Sequence, residues 1–135
     1  MIFGIGTDIV EIKRIKDIAS LDKFASKILS KNEKDFYNSL TDTKQIRYIS
    51  KQFAGKEAIS KALGTGIGND AQFKNIEILR DEQGAPVFNA LNKLENAISL
   101  LGITKTHVSL ADERNYAIAI AVSYTHLTLP TKNEV

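Results

Sequence analysis

Two carboxylates and a lysine lie at positions from which they could act on a phosphate group. Glu57 precedes Lys61 by four residues, a spacing that places both side chains on one face of a helix. Asp8 follows an apolar, glycine-containing stretch and is predicted to stand near the end of a strand. Mg²⁺ takes one or two carboxylates and fills its other positions with waters and substrate phosphate oxygens, while a lysine stabilises phosphoryl charge. The three side chains together predict magnesium-dependent phosphate chemistry.

A glycine-rich turn, residues 64–68 (GTGIG), follows the lysine. Because glycine has no Cβ, the backbone N–H groups of such a turn could approach a phosphate closely. The turn is neither a P-loop, since no Gly-Lys-Ser/Thr follows, nor a dinucleotide loop at the start of a helix. It could equally be a helix C-cap. Likewise, Glu57 and Lys61 could form a surface salt bridge, and Asp8 could cap the turn after its strand.

The composition restricts the class of protein. The 135 residues suffice for one domain with a core, and 43% of them are hydrophobic. With 18 basic and 16 acidic residues, a net charge of +2 and no dense Lys/Arg block, the chain does not suggest a nucleic-acid-binding protein. It contains no cysteine, which excludes thiolate metal sites and cysteine nucleophiles. No apolar run approaches the ~20 residues of a membrane span, so a cytoplasmic protein is expected.

Hydrophobic periodicity predicts the order strand, helices, β-hairpin, helix, β-hairpin, which is an α+β domain. The alternation of large and small residues in the last strand predicts one bulky face and one closely packed face. The buried side of the long helix is predicted at Ile46, Ile49, Phe53, Ile59 and Leu63. The predicted strands span 2–10, 76–80, 86–88, 106–110 and 116–122, and the predicted helices span about 21–29, 30–40, 42–63 and 91–101. Residues 30–33 (SKNE) have capping-box spacing and are predicted to begin the second of these helices.

Residues 1–122 are predicted to form the domain, and residues 123–135 an atypical tail. The tail is rich in threonine, contains a proline and shows no clear period. It is expected to be frayed or loosely packed. Its composition is more typical of a sequence-assembly artefact than of a functional extension. If it is such an artefact, the final strand of the domain would be truncated.

Three motifs, in order along residues 1 to about 122, resemble the holo-[acyl-carrier-protein] synthase family, the small bacterial 4′-phosphopantetheinyl transferases. They are residues 4–12 (GIGTDIVEI) with Arg14 following, residues 53–66 (FAGKEAISKALGTG) and residues 107–117 (HVSLADERNYA). Residues 81–86 (DEQGAP) fit the family's turn before the hairpin. The resemblance implies the family's α+β fold, in which a small antiparallel-rich sheet packs against helices that include one long helix.

The resemblance also implies a reaction. The 4′-phosphopantetheine arm of coenzyme A is moved onto a serine of an apo acyl carrier protein, 3′,5′-ADP leaves, and the product supports fatty acid biosynthesis. Asp8 and Glu57 would hold Mg²⁺ against the coenzyme A pyrophosphate, and Lys61 would contact the phosphate under attack. Either Glu57 or a water on the metal would take the serine proton.

By the same resemblance, Gly64, Thr65 and Gly66 would lie near the coenzyme A phosphates. Arg14 would meet the acidic recognition helix of the carrier protein. Members of the family form homotrimers with active sites between subunits, and a short single domain that offers only part of a cleft agrees with that arrangement. The sequence does not separate carriers of fatty-acid synthesis from those of polyketide synthesis.

Two residues depart from the family's pattern. Gln52 stands where an arginine is common, and Ala85 stands where a lysine or another polar residue is common. Both changes are expected to weaken a contact to coenzyme A without touching the metal ligands. They leave open an alternative function, that of a non-catalytic coenzyme A-binding module. A purely structural α+β protein would show neither binding nor transfer.

Overall fold

Strands occupy the two ends of the described part of the chain, and helices fill most of its middle. The structure is a computed structural model that describes residues 1–126. The domain is α+β, as the sequence predicts. Its elements are β1 (Ile2–Glu11), α1 (Ile12–Lys16), α2 (Leu21–Ile28), α3 (Lys31–Asn38), α4 (Asp42–Ala62), a 3₁₀ turn (Phe73–Asn75), β2 (Ile76–Arg80), β3 (Pro86–Ala90), α5 (Lys93–Leu100), β4 (Ile103–Asp112) and β5 (Tyr116–Thr125). The sequence did not separate α1 or the 3₁₀ turn, because elements this short carry no hydrophobic period.

The main sheet has the order β1-β5-β4 and is antiparallel throughout, while β2 and β3 form a separate hairpin. In its register, Asp8 lies opposite Ala119. Since successive side chains of a strand point to opposite faces, Asp8 shares the inner face that packs on α4. In β5 the inner residues are buried alanines and the outer ones are exposed isoleucines (Ala117, Ala119 and Ala121; Ile118 and Ile120). The predicted small and bulky faces are therefore confirmed.

Two glycines let β1 lie directly on α4. A Cβ atom on Gly6 would overlap the carbonyl oxygen of Ala58 and would lie 2.8 Å from the Cβ of Lys61. A Cβ atom on Gly4 would overlap the carbonyl oxygen of Ala62 in the same way. Any larger residue at either position would have to push β1 away from the helix.

The helix α3 begins with the capping box that the sequence predicts. The hydroxyl oxygen of Ser30 accepts a hydrogen bond from the N–H of Glu33, and the Glu33 carboxylate accepts one from the N–H of Ser30. Both side chains are buried, so the cap belongs to the core rather than to the surface.

The long helix α4 ends within one residue of its predicted C-terminus. Ile49, Ile59 and Leu63 are fully buried, as predicted, whereas the other two predicted positions are only half-buried (Ile46 and Phe53). Gln52 and Lys56 lie in the same stripe, since the positions 49, 52, 56, 59 and 63 are spaced three and four residues apart. The buried side of α4 therefore includes an amide and an ammonium group.

The last strand continues beyond its predicted end at Val122. Ser123 is fully buried, its backbone pairs with both neighbouring strands, and its hydroxyl donates a hydrogen bond to the carbonyl oxygen of Ala62. Residues 123–125 thus belong to β5, while the remainder of the predicted tail from residue 127 lies outside the described residues. Within residues 1–126, no helix combines the length and the apolar character needed to cross a bilayer.

Candidate functional site

Asp8, Glu57 and Lys61 come together where β1 crosses α4. The Lys61 ammonium donates a hydrogen bond of 2.8 Å to the backbone carbonyl of Thr7 and lies 3.5 Å from the Asp8 carboxylate. Asp8 is largely covered, while half of the Lys61 side chain is exposed. Asp8 and Lys61 are 53 residues apart in the chain, and the fold brings both of them together with Glu57 at this crossing. Lys61 pairs with Asp8, rather than with Glu57 as the surface salt-bridge alternative supposed.

The electrostatic surroundings of Glu57 are unfavourable to its negative charge. Partial burial is the main cause that raises the pKa of Glu57, and the nearby Asp8 carboxylate raises it further. The Lys61 ammonium lowers the pKa and only partly offsets these two effects. Two carboxylates that repel each other in a half-buried place are a favourable setting for a divalent cation, which would neutralise both.

The donor set at this place fits Mg²⁺ better than it fits a transition metal. Among residues 1–126, no group of three or more His, Cys, Asp or Glu side chains is close enough to hold an ion. Mg²⁺ does not require such a group, because it binds through one or two carboxylates and completes its shell with water and phosphate oxygens. Asp8 and Glu57 can supply those two carboxylates.

The glycine turn closes the end of α4. Gly64 and Gly66 have φ angles of 77° and 65°, in the left-handed region that glycine tolerates best. The N–H of Gly64 donates to the carbonyl of Lys61, and the N–H groups of Thr65 and Gly66 both donate to the carbonyl of Ser60. These three N–H groups therefore cap the helix, as the C-cap interpretation of the turn predicts. That the turn lies near coenzyme A stays a prediction.

Arg14 lies on the exposed side of α1, beside two other cations of the same helix. Ile12 and Ile15 bury the opposite side of α1 in the core, so the basic side must face solvent. Because Lys13 forms a salt bridge with Asp17, the Arg14 side of the helix is more available for a negatively charged partner.

Three other residues lie outside this site, namely the first residue of the third motif and the two residues that depart from the family's pattern. His107 is exposed on the outer face of the sheet, with its ring edge against Tyr124. Ala85 lies in the exposed turn before β3. Gln52 is only 1% exposed and donates hydrogen bonds to Glu33 and to the carbonyl of Ile78, so its side chain does not reach a coenzyme A molecule on the surface. The expected weakening of a coenzyme A contact at position 52 stays a prediction.

The sequence did not reveal one polar group, the buried ion pair between Lys56 and Glu33. Their side chains are fully buried and 2.6 Å apart. Burial lowers the pKa of Lys56, and the Glu33 charge opposes that change. Two features of the sequence agree with the burial of these residues, the position of Lys56 in the buried stripe of α4 and the capping box at Glu33, but neither feature pairs the two.

Residues 4–121 match the family model described as the 4′-phosphopantetheinyl transferase superfamily. Among curated proteins, the holo-[acyl-carrier-protein] synthase of Shewanella denitrificans is 44% identical over 123 residues, which cover 90% of this chain and 96% of the relative. The similarity thus extends over almost the whole domain.

Solved structures show the same fold. The holo-[acyl-carrier-protein] synthase of Neisseria meningitidis matches with a TM-score of 0.85 and 36% identity, over 93% of this chain and 100% of that one. The enzyme from Bacillus anthracis, solved in complex with CoA (3′,5′-ADP), matches with a TM-score of 0.80 and 34% identity, over 93% and 99% of the two chains.

Proposed function

The chain belongs to the 4′-phosphopantetheinyl transferase superfamily, and on that premise we propose that Asp8, Glu57 and Lys61 form its active site. The protein is an enzyme that moves the 4′-phosphopantetheine arm of coenzyme A to a serine of apo acyl carrier protein and releases 3′,5′-ADP. The observation that carries the site assignment is the meeting of two carboxylates and a lysine at the crossing of β1 and α4. Phosphoryl-type transfer requires this combination of positioning and charge stabilisation.

In this reaction the serine oxygen attacks the β-phosphate of coenzyme A, and the bond from that phosphorus to the bridging oxygen breaks as 3′,5′-ADP leaves. Lys61, held by the carbonyl of Thr7, is placed to stabilise the charge that develops on the transferred phosphoryl group. Burial makes the Glu57 carboxylate a stronger base, which suits it to accept the proton of the serine hydroxyl.

A magnesium ion is part of this proposal. Asp8 and Glu57 would hold it, and when bound it would supply positive charge to the coenzyme A pyrophosphate. The like charges of the two carboxylates support the assignment, because they raise the pKa of Glu57 in the absence of a cation.

The carrier protein is proposed to dock along α1. An open cleft of about 610 Å³ lies beside this helix, and its lining includes four cations (Lys13, Lys16, Arg47 and Arg114) and two carboxylates (Glu11 and Asp17). Arg14 projects from the exposed side of the same helix. Such a surface suits an acidic helix, since charges at a rim increase the association rate and set the register of a complex.

We further propose that the enzyme works as a homotrimer in the cytoplasm. The outer face of the main sheet exposes a continuous row of large apolar side chains from two paired strands (Ile5 and Ile9 of β1; Ile118 and Ile120 of β5), each between 43% and 62% exposed. Exposed apolar patches of this kind mark protein interfaces. A neighbouring subunit on this face would cover the isoleucines and complete the cleft that one short domain leaves open.

The transfer assay separates the enzyme from a non-catalytic coenzyme A-binding module. The protein is incubated with coenzyme A, Mg²⁺ and apo acyl carrier protein, and the carrier is weighed by mass spectrometry. We expect the carrier to gain one phosphopantetheine arm with the wild type and with Asp35→Asn, an exposed control. Asp8→Asn and Glu57→Gln are expected to remain folded and to transfer no arm. Binding of coenzyme A by the wild type without any mass gain would instead favour the module.

A further inference from the structure

The buried carboxylate of Glu33 is fully hydrogen-bonded. One of its oxygens accepts hydrogen bonds from the Lys56 ammonium at 2.6 Å and from the N–H of Ser30 at 2.8 Å. The other accepts hydrogen bonds from the Gln52 amide at 2.6 Å and from the N–H of Ile78 at 2.9 Å. Glu33 thus joins α3, α4 and β2 through four donors, two of which are side chains of α4.

Lys56 extends this connection to the segment after the glycine turn. Its ammonium donates a second hydrogen bond, 2.8 Å long, to the carbonyl oxygen of Phe73. Phe73 begins the 3₁₀ turn that leads from the glycine turn into β2. The single ammonium group therefore ties α4 to α3 on one side and to the end of the 64–75 segment on the other.

The position of Lys56 in the chain gives this tie a direct effect on Glu57. Neighbouring residues of an α-helix point about 100° apart around its axis. If Lys56 is held toward α3 and Phe73, Glu57 must point toward β1, where Asp8 lies. The contacts of Gly6 with Ala58 and Lys61 fix α4 against β1 after Glu57, and the Lys56 ammonium adds a directional restraint at the residue before it.

Stability alone is a weak reason for such an ion pair. Apolar residues of similar volume often replace a buried ion pair without loss of stability, because the two charges no longer have to be removed from water. What apolar residues cannot replace is the direction of the hydrogen bonds to Glu33 and to the carbonyl of Phe73.

We propose that Lys56 is a positioning residue for the transfer reaction, which through Glu33 and the carbonyl of Phe73 fixes the direction of Glu57 and holds the 64–75 segment in place. The proposal rests on the function proposed above, because it takes Glu57 to be the group that must be aimed. Lys56 itself touches no substrate.

The test compares three variants with the wild type. Lys56→Met removes the ammonium but leaves the Glu33 charge buried and unpaired, so it is expected to destabilise the protein strongly. Glu33→Gln/Lys56→Met removes both charges and is the variant expected to fold. Lys51→Met is the matched control, because Lys51 lies on the same helix and pairs with a carboxylate of β4 instead.

Four quantities are measured: the urea midpoint of unfolding, the maximal transfer rate, the Mg²⁺ concentration that gives half the maximal rate, and amide hydrogen exchange of the protein without ligands. In the double variant we expect that Mg²⁺ concentration to rise about 10- to 100-fold, as is usual when a group that orients a metal ligand is removed. Exchange is expected to accelerate in residues 64–75 and to stay unchanged in the main sheet. Lys51→Met should leave the Mg²⁺ concentration for half the maximal rate and the exchange of residues 64–75 at the wild-type values.

A folded double variant with the wild-type Mg²⁺ requirement and wild-type exchange would overturn the proposal. So would unfolding of both Lys56 variants, since the ion pair would then serve the whole fold and not Glu57 in particular. If the wild type transferred no arm at all, the proposed function would fail, and the exchange data alone would still decide whether Lys56 holds the 64–75 segment.

Discussion

Gly6 lies against Ala58 with no space for a methyl group between the strand and the helix. Gly6 is two residues from Asp8, and Ala58 is the residue after Glu57. The contact therefore sets the distance at which β1 presents its carboxylate to that of α4. The absence of a side chain at Gly6 thus allows the charged side chains of Asp8 and Glu57 to come together.

Gly6→Ala is expected to damage both the fold and the site. The added methyl group would force β1 away from α4, which should lower the free energy of unfolding by about 1–3 kcal/mol, as overpacking usually does. Because the shift of β1 also separates Asp8 from Glu57, the transfer rate should fall further than the loss of folded protein would explain. Urea unfolding and the transfer assay measure the two effects, with Glu82→Ala, in an exposed turn, as the control. Wild-type values for Gly6→Ala in both measurements would contradict the tight contact.

The raised pKa of Glu57 predicts how pH acts on the metal-free protein. A carboxyl group whose pKa is higher in the folded state favours folding below its unfolded pKa, and that contribution is lost as the pH rises through the folded pKa. Glu57→Gln should therefore become more stable relative to the wild type as the pH rises above about 4, the ordinary pKa of a glutamate. Urea unfolding at a series of pH values above this point measures the difference.

The matched control is Glu82→Gln, which makes the same substitution in an exposed turn. Asp8→Asn should lower the pKa of Glu57, because it removes the neighbouring negative charge. NMR titration of the Glu57 carboxyl carbon measures this directly, and an unchanged pKa in Asp8→Asn would show that the two carboxylates do not interact.

Lys61→Met is expected to lower the maximal transfer rate about 10²- to 10³-fold, the usual cost of one lost stabilising donor at a transition state. The fold should change little, because the Lys61 side chain is half exposed and its pairing with Asp8 is of the weak surface kind. Lys44→Met, at an exposed position of the same helix, is the control for steady-state kinetics. A Lys61→Met enzyme with the wild-type rate would remove Lys61 from the site.

Ile118→Glu should prevent assembly of the proposed trimer. The substitution places a charge in the middle of the apolar outer face, opposite Ile9, where a partner subunit would have to bury it. Sedimentation velocity should show a monomer, and transfer should be lost with the assembly. Leu100→Glu, which changes an 80% exposed leucine at the end of α5, should sediment as the wild type does. A wild-type protein that is itself monomeric would refute the trimer.

A chain that ends at Val122 should be less stable than one that ends at His126. It loses three residues of β5, including the buried Ser123 and its hydrogen bond to the carbonyl of Ala62. Each lost hydrogen bond should cost about 1 kcal/mol. Urea unfolding of the two chains measures the difference, and Ser123→Ala in the longer chain isolates the hydroxyl group. Equal stability of the two chains would mean that the strand needs nothing beyond Val122.

The sequence predicted those features that depend on local spacing. The capping box of Ser30 and the buried faces of the strands follow from neighbours a few residues apart, so a pattern suffices to find them. The Lys56–Glu33 pair could not be found in this way, because its partners are 23 residues apart and meet only through the packing of two helices. A lysine beside a glutamate in sequence suggests a surface charge, and only the helical stripe shows that Lys56 points inward.

The sequence also could not decide between the two interpretations of the glycine turn. Its composition predicted both a helix cap and a phosphate-binding loop, and the two interpretations use the same N–H groups. The carbonyl of Ser60 accepts hydrogen bonds from two of these N–H groups, and the glycine pattern does not reveal this acceptor. Asp8 and Glu57, in contrast, were correctly expected to be neighbours, because the resemblance carried three-dimensional information that spacing alone did not.

The strand order β1-β5-β4 also dictates when this enzyme can become active. Within the described residues, β1 pairs in the sheet only with β5, so the first strand of the domain cannot pair until the last strand of the domain has been synthesised. Until then a nascent chain carries Asp8 on an unpaired edge with its apolar face uncovered. Catalytic competence therefore requires synthesis of the domain through β5, and before that point the unpaired apolar strand is a site to which chaperones can bind.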